Sequence, residues 1–127
     1  MRIPAILDLH AWKNAEFSTT FAIFENGVPY DLTGLTGTAL EMKVRVQPGQ
    51  TGTALATCNL SSGASIVNAT GGTVLVNIVA ATLSAMPAPD PFNPTKYFWD
   101  LLISPVTGLD FVAIEGAFWL HPGVTRA

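Results

Sequence analysis

Apolar and polar positions alternate along most of this chain with a period of two, the spacing that turns successive side chains to opposite faces of a strand. Phe17, Thr19, Phe21 and Ile23 share one face against Ser18, Thr20 and Ala22, and Glu25-Asn-Gly27 then supplies a hairpin turn. Residues 28–34 continue as a short edge segment, because Pro29 has no N–H to give a central ladder. In residues 38–46, Leu40, Met42, Val44 and Val46 point inward while Glu41, Lys43 and Arg45 point outward. Residues 54–60, 65–68 and 73–79 make further short strands, divided by Gly-containing turns. Residues 80–86 (AATLSAM) are the one helical stretch, of one or two turns, stopped by Pro87. Pro87, Pro89, Pro91 and Pro94 then fill an extended, exposed loop that also carries Phe92.

The C-terminal third breaks this half-exposed pattern. Residues 96–104 (KYFWDLLIS) and 110–121 (DFVAIEGAFWLH) read as adjacent strands that are apolar on both faces. Tyr97, Trp99, Leu101 and Ile103 share one face, with Phe98 and Leu102 on the other. In the next strand Val112, Ile114, Phe118 and Leu120 oppose Phe111, Ala113, Ala117 and Trp119. One face packs on the domain's own core, and the other calls for a partner, which favours an assembly component over an enzyme. Seven to nine short strands with regular turns and at most one helical turn predict an all-β, antiparallel sandwich.

Size and composition fit that reading. At 127 residues the chain is one domain, large enough to hold a core without staples. Charged residues make up 12%, about half the usual share, and the mean hydropathy is +0.39, both more typical of a subunit than of a free monomer. The single Cys58 excludes an internal disulfide framework and any CxxC motif. No run approaches the roughly 18 apolar residues of a membrane helix, and Pro4 and Asp8 interrupt any signal-peptide core. The expectation is synthesis in the cytoplasm and no membrane partner. Net charge is −3 with the cations scattered, so nucleic acid is not expected as a partner either.

Candidate chemistry is sparse. His10, His121 and Cys58 do not make up the three or four ligands of a tetrahedral metal site, and the scattered aspartates lack calcium-loop spacing, so neither a metal nor another cofactor is expected. No nucleophile, zincin or P-loop motif is present, so no catalytic residue is assigned. Asp100 and Glu115 stand mid-strand among apolar neighbours. Paired carboxylates can hydrolyse glycosides, but such acids more often satisfy a cation, and a structural ion pair is expected between Asp100 or Glu115 and Arg45 or Lys43. Trp12, Trp99 and Trp119 would form a sugar-stacking platform if coplanar and open, although core filling or a subunit interface suits their apolar setting better. Residues 1–14 hold Ile3, Ile6, Leu7, Leu9 and Trp12 ahead of the 15–127 sandwich. They act as an edge strand or, by preference, an arm that adds to a neighbour. The candidate interface is therefore Ile3, Ile6, Leu7, Leu9, Trp12, Phe92 and Trp119.

The order of short motifs completes the reading. Tyr30-Asp-Leu-Thr-Gly34, Met42-Lys-Val-Arg45, Gly71-Gly-Thr-Val74, Leu83-Ser-Ala-Met-Pro87, Tyr97-Phe-Trp-Asp-Leu101, Glu115-Gly116 and Pro122-Gly-Val-Thr-Arg126 follow one another from about Ala15 to the C-terminus. In that order they resemble small tail and baseplate proteins of tailed bacteriophages and prophages, in particular the immunoglobulin-like attachment domain of baseplate upper proteins. The resemblance implies an immunoglobulin-like sandwich that docks on other virion proteins of the tail, baseplate or capsid and works without catalysis or a cofactor, and a homo-oligomer in the particle is expected because repeated copies would bury the surplus apolar surface. The sequence runs to Ala127 with no receptor-binding module, which points to a compact adaptor or tail-tip subunit. Capsid decoration and carbohydrate binding are the alternatives.

Overall fold

The computed structural model describes residues 4–48, 52 and 54–122. Its larger sheet is built on β10 (Thr95–Ile103), which pairs antiparallel with β11 (Phe111–His121) on one side and with β6 (Leu40–Arg45) on the other. β7 (Ala56–Asn59) continues the sheet beyond β6, and β1 (Ala5–Ile6) and β2 (Leu9–Trp12) pair parallel with β11 at the opposite edge. The smaller sheet has the order β3 (Phe17–Ala22), β9 (Thr73–Ile78), β8 (Ala64–Asn68). Consecutive strands cross repeatedly between the layers, and the order of the seven main strands is that of immunoglobulin-type sandwiches. The short hairpin β4 (Phe24–Glu25) and β5 (Val28–Pro29) turns at Asn26 and Gly27, both at positive φ (54° and 77°), as a tight two-residue turn requires.

The alternation read along the chain becomes the core. Leu40, Met42, Val44, Leu101, Ile103, Phe118 and Leu120 of the larger sheet meet Phe21, Val74, Val76 and Ile78 of the smaller. Phe21 lies flat on Trp99, with centroids 5.2 Å apart and planes at 17°, so the sheets are joined by ring stacking where a disulfide would otherwise serve. Cys58 is a buried core residue whose thiol donates weakly to the Asn77 carbonyl. The helix α1 (Ala80–Ala85) plugs the end of the sandwich with Leu83, and Tyr97, just inside β10, donates its hydroxyl to the Pro87 carbonyl. This is the tyrosine corner that immunoglobulin-like folds use where the chain passes between sheets.

Two details differ from the sequence reading. In the β10–β11 ladder Leu101 opposes Ile114 but Leu102 opposes Val112, so Ala113 is an extra residue. That bulge flips the strand's first residues: Phe111 and Ala113 pack against the core, and Val112 shares the outer face with Leu102. The second concerns the N-terminal segment, where residues 4–14 follow the edge-strand alternative instead of the preferred arm: β1 and β2 run along β11 in one continuous register, and Leu9 and Ala11 are buried in the core.

Between β1 and β2 the pairing is completed by one main-chain bond and two that involve side chains. Leu7 N–H donates to the Glu115 carbonyl, Ala117 N–H donates to the Asp8 carboxylate, and the Trp99 indole N–H reaches the Leu7 carbonyl at 2.9 Å. Gly116 makes this possible: a Cβ there would overlap the Leu7 carbonyl oxygen and come within 2.7 Å of its carbon. Gly116→Ala is therefore expected to lower stability by about 2 kcal/mol or more, because backbone must shift and the indole loses its acceptor. Leu9→Ala should cost a similar ~2–4 kcal/mol. Denaturant unfolding of both variants is the check, and wild-type midpoints would show that the edge is dispensable.

Candidate functional site

The sheet's outer face carries the side chains that the core leaves over. From β6 come Glu41, Lys43 and Arg45, from β10 Lys96, Phe98, Asp100 and Leu102, and from β11 Glu115, Ala117 and Trp119. Strand pairing sets them in rows. Lys43, Asp100 and Glu115 lie directly opposite one another across three strands, and Arg45, Phe98 and Ala117 form the next row. Along these rows opens a depression of about 420 Å³ whose floor and rim include Ile6, Asp8, Phe98, Asp100, Glu115 and Trp119. Lys96 closes one side with its ammonium 5.2 Å from the centre of the Phe98 ring and 5.7 Å from that of Trp119.

The carboxylates and cations do come together here, but the expected ion pair takes another form. Lys43 pairs with Glu41 on its own strand at 3.4 Å, and Arg45 donates to the Gly52 carbonyl at 2.7 Å. Both long side chains follow their own strand or its loop instead of closing directly on the acid across the ladder. Arg45 and Lys43 still favour ionisation of Asp100 through space, yet its carboxyl is held above the usual value of 3.8, first by burial and then by the charge of Glu115. The lining residues balance evenly, with Asp8, Asp100 and Glu115 against Lys43, Arg45 and Lys96. Such a face offers apolar area and paired charges of both signs, more suited to another protein surface than to a substrate of one charge.

No protein-family model matches the chain, and none of the curated proteins matches its sequence. Its residues and geometry therefore carry the functional argument. Among the candidate interface residues, Ile6 is 72% exposed at the rim and Trp119 stands on the outer face, with both lining the depression. Leu7 and Trp12 are exposed along the β1–β2 edge. Phe92 is 87% exposed on its loop, beside an Asx-turn formed by Asp90, and does not line the depression. Leu9 is corrected to a core residue, and Ile3 lies outside the described residues, as do residues 123–126 of the last motif. The three tryptophans do not form a sugar platform, because Trp99 points into the core while Trp119 and Trp12 are on the surface. Burial pushes the Cys58 thiol up to about 11, away from the thiolate form that a nucleophile uses.

Phe98, Lys96 and Asp8 complete the site without having been singled out beforehand. For Phe98 the signal was its place on the second face of an apolar strand. Asp8 could have been found only by knowing that it stands beside Gly116 on the neighbouring strand. A further juxtaposition lies at the edge, where His10 Nδ1 is 2.9 Å from His121 Nε2 and Trp12 stacks on the His121 ring at 4.7 Å. Burial and then the neighbouring His10 lower the His121 pKa from 6.5. A folded-state pKa below the unfolded one contributes stability that is present above pH 6.5 and lost as pH falls through the folded value. NMR titration should therefore place the His121 midpoint below 6.5, and His10→Ala should move it upward. An unmoved midpoint would remove the coupling. Asp100 has the opposite dependence: its raised pKa means stability is lost as pH climbs from 3.8 through the folded value, so Asp100→Asn should raise the neutral-pH melting temperature.

Proposed function

We propose that this chain is a non-enzymatic structural subunit of a tailed-phage or prophage particle, placed in the tail, baseplate or capsid and acting through protein–protein contact. The observation that carries the contact reading is the outer face of the larger sheet. A solvated sheet face ordinarily alternates to polar residues, whereas here Phe98, Leu102, Val112, Ala117 and Trp119 form its centre, and Ile6 is exposed at its rim. Apolar area interspersed with charges of both signs suits a protein interface. The virion reading rests on the ordered motifs from Tyr30-Asp-Leu-Thr-Gly34 onward. Burial and Glu115 do raise the Asp100 pKa, as acid catalysis would need, but Lys43 and Arg45 work against that rise and no recognised catalytic motif accompanies the two acids, so chemistry there is the less supported course.

Phage or prophage particles purified from the chain's source should contain it at a fixed ratio to the other structural proteins by quantitative mass spectrometry. Phe98→Ser together with Trp119→Ser should leave a folded chain that is lost from the particles. A chain absent from purified particles would overturn the virion assignment, and a double variant retained at the wild-type ratio would overturn the contact face.

A further inference from the structure

The outer face is divided by charge along its strands. The cations Lys43 and Arg45 sit on β6 at one flank with one acid, Glu41, and the carboxylates Glu115 and Asp8 lie on or against β11 at the other. Between them β10 presents Lys96, Phe98, Asp100 and Leu102. A surface whose flanks are net positive on one side of a central strand and net negative on the other is complementary to its own copy under a two-fold axis parallel to that strand, since the rotation lays each flank over the opposite one.

We propose that two copies of this chain associate face to face through the outer side of the larger sheet, about a two-fold axis running along β10. The partner is thus a second copy, and the proposal deepens the contact reading above and rests on it. Residues in one row remain in one row under this rotation. Lys43 of each copy meets Glu115 of the other, twice over, because Lys43, Asp100 and Glu115 are in register across β6, β10 and β11. In the next row Phe98 stacks on Phe98 at the axis, while Arg45 lies over Ala117 and, one strand further out, Asp8. An axis across the strands would instead lay the net-positive flank of β6 on itself and the acidic flank of Glu115 and Asp8 on itself, so the net charges favour the axis along β10. Two twisted sheets packed this way cross at a small angle, as aligned sandwiches do, so the arrangement needs no change of backbone.

Two like-charge contacts lie at the axis, because each outward residue of β10 meets its own copy. Lys96 faces Lys96 near the strand's start, and Asp100 faces Asp100, where Glu115 on β11 adds to the repulsion while Lys43 and Arg45 on β6 relieve it. A proton shared by the two aspartates removes the like-charge cost between them, so association strengthens as the pH is lowered toward the range where Asp100 titrates.

The test is sedimentation velocity on the full chain over a concentration series, with circular dichroism and thermal melts to show that each variant is folded. The wild type is expected to be in a monomer–dimer equilibrium. Lys43→Glu alone and Glu115→Lys alone should each weaken it by about tenfold or more, because each homodimer then holds two like-charge contacts. Mixing the two folded variants should restore dimer, since the mixed pair regains both opposite-charge contacts. Asp100→Asn should tighten the neutral-pH dimer severalfold and flatten its pH dependence. A wild type that stays monomeric throughout, or single variants that dimerise as the wild type does, would overturn the proposal. A monomeric chain that still depends on Phe98 and Trp119 for its place in the particle would overturn self-association alone, leaving the contact reading standing.

Discussion

The larger sheet depends on a gap one side chain wide. At Gly116, in the middle of the longest strand, the missing Cβ lets the Leu7 carbonyl come close enough to accept the Trp99 indole N–H from the neighbouring strand. Three segments distant in sequence meet at that point. Trp99 is also the ring on which Phe21 of the other sheet lies, so the same residue anchors the N-terminal edge and joins the two layers. Without a disulfide, this chain of contacts from Leu7 through Trp99 to Phe21 connects the edge of the sandwich to its centre. The Asp8 carboxylate completes it by standing in for a backbone acceptor opposite Ala117 N–H, which keeps β1 and β2 in one register across their break.

Fixing that edge determines what is left for contact. With Leu9 and Ala11 inside and β11 covered on its outer flank, the N-terminal segment is committed to its own sheet. The surplus apolar area lies instead on the outer face of β10 and β11. The bulge at Ala113 extends that area, because it turns Val112 outward to join Leu102 while Phe111 packs inward near Tyr30. The facing acids Asp100 and Glu115 interrupt this strip between Phe98 with Ala117 and Leu102 with Val112, so a partner surface must meet charge as well as apolar area.

Strand positions, turn positions, the short helix and the two-faced character of the last strands were all legible in the chain. They follow from local rules: a side-chain period of two, glycine at positive φ and proline at helix ends. That Lys43, Arg45, Asp100 and Glu115 would be neighbours was legible from the same alternation, since it put each on an outward face. Whether they would touch was not, because long side chains choose among partners within reach, and Arg45 found a carbonyl in its own loop.

By itself, the sequence determined the fold class, the inward faces of the clearly alternating strands such as residues 40–45, and the presence of two adjacent strands apolar on both faces. Tertiary structure alone decided that the N-terminal segment is an edge strand, that His10 meets His121 from opposite ends of the chain, and that Lys43, Asp100 and Glu115 stand in one row across three strands. The physical reason is the same in each case. Alternation specifies which way a side chain points within its own strand, whereas register and strand order specify what it points beside, and both arise from contacts between residues as far apart as Leu7 and Trp99.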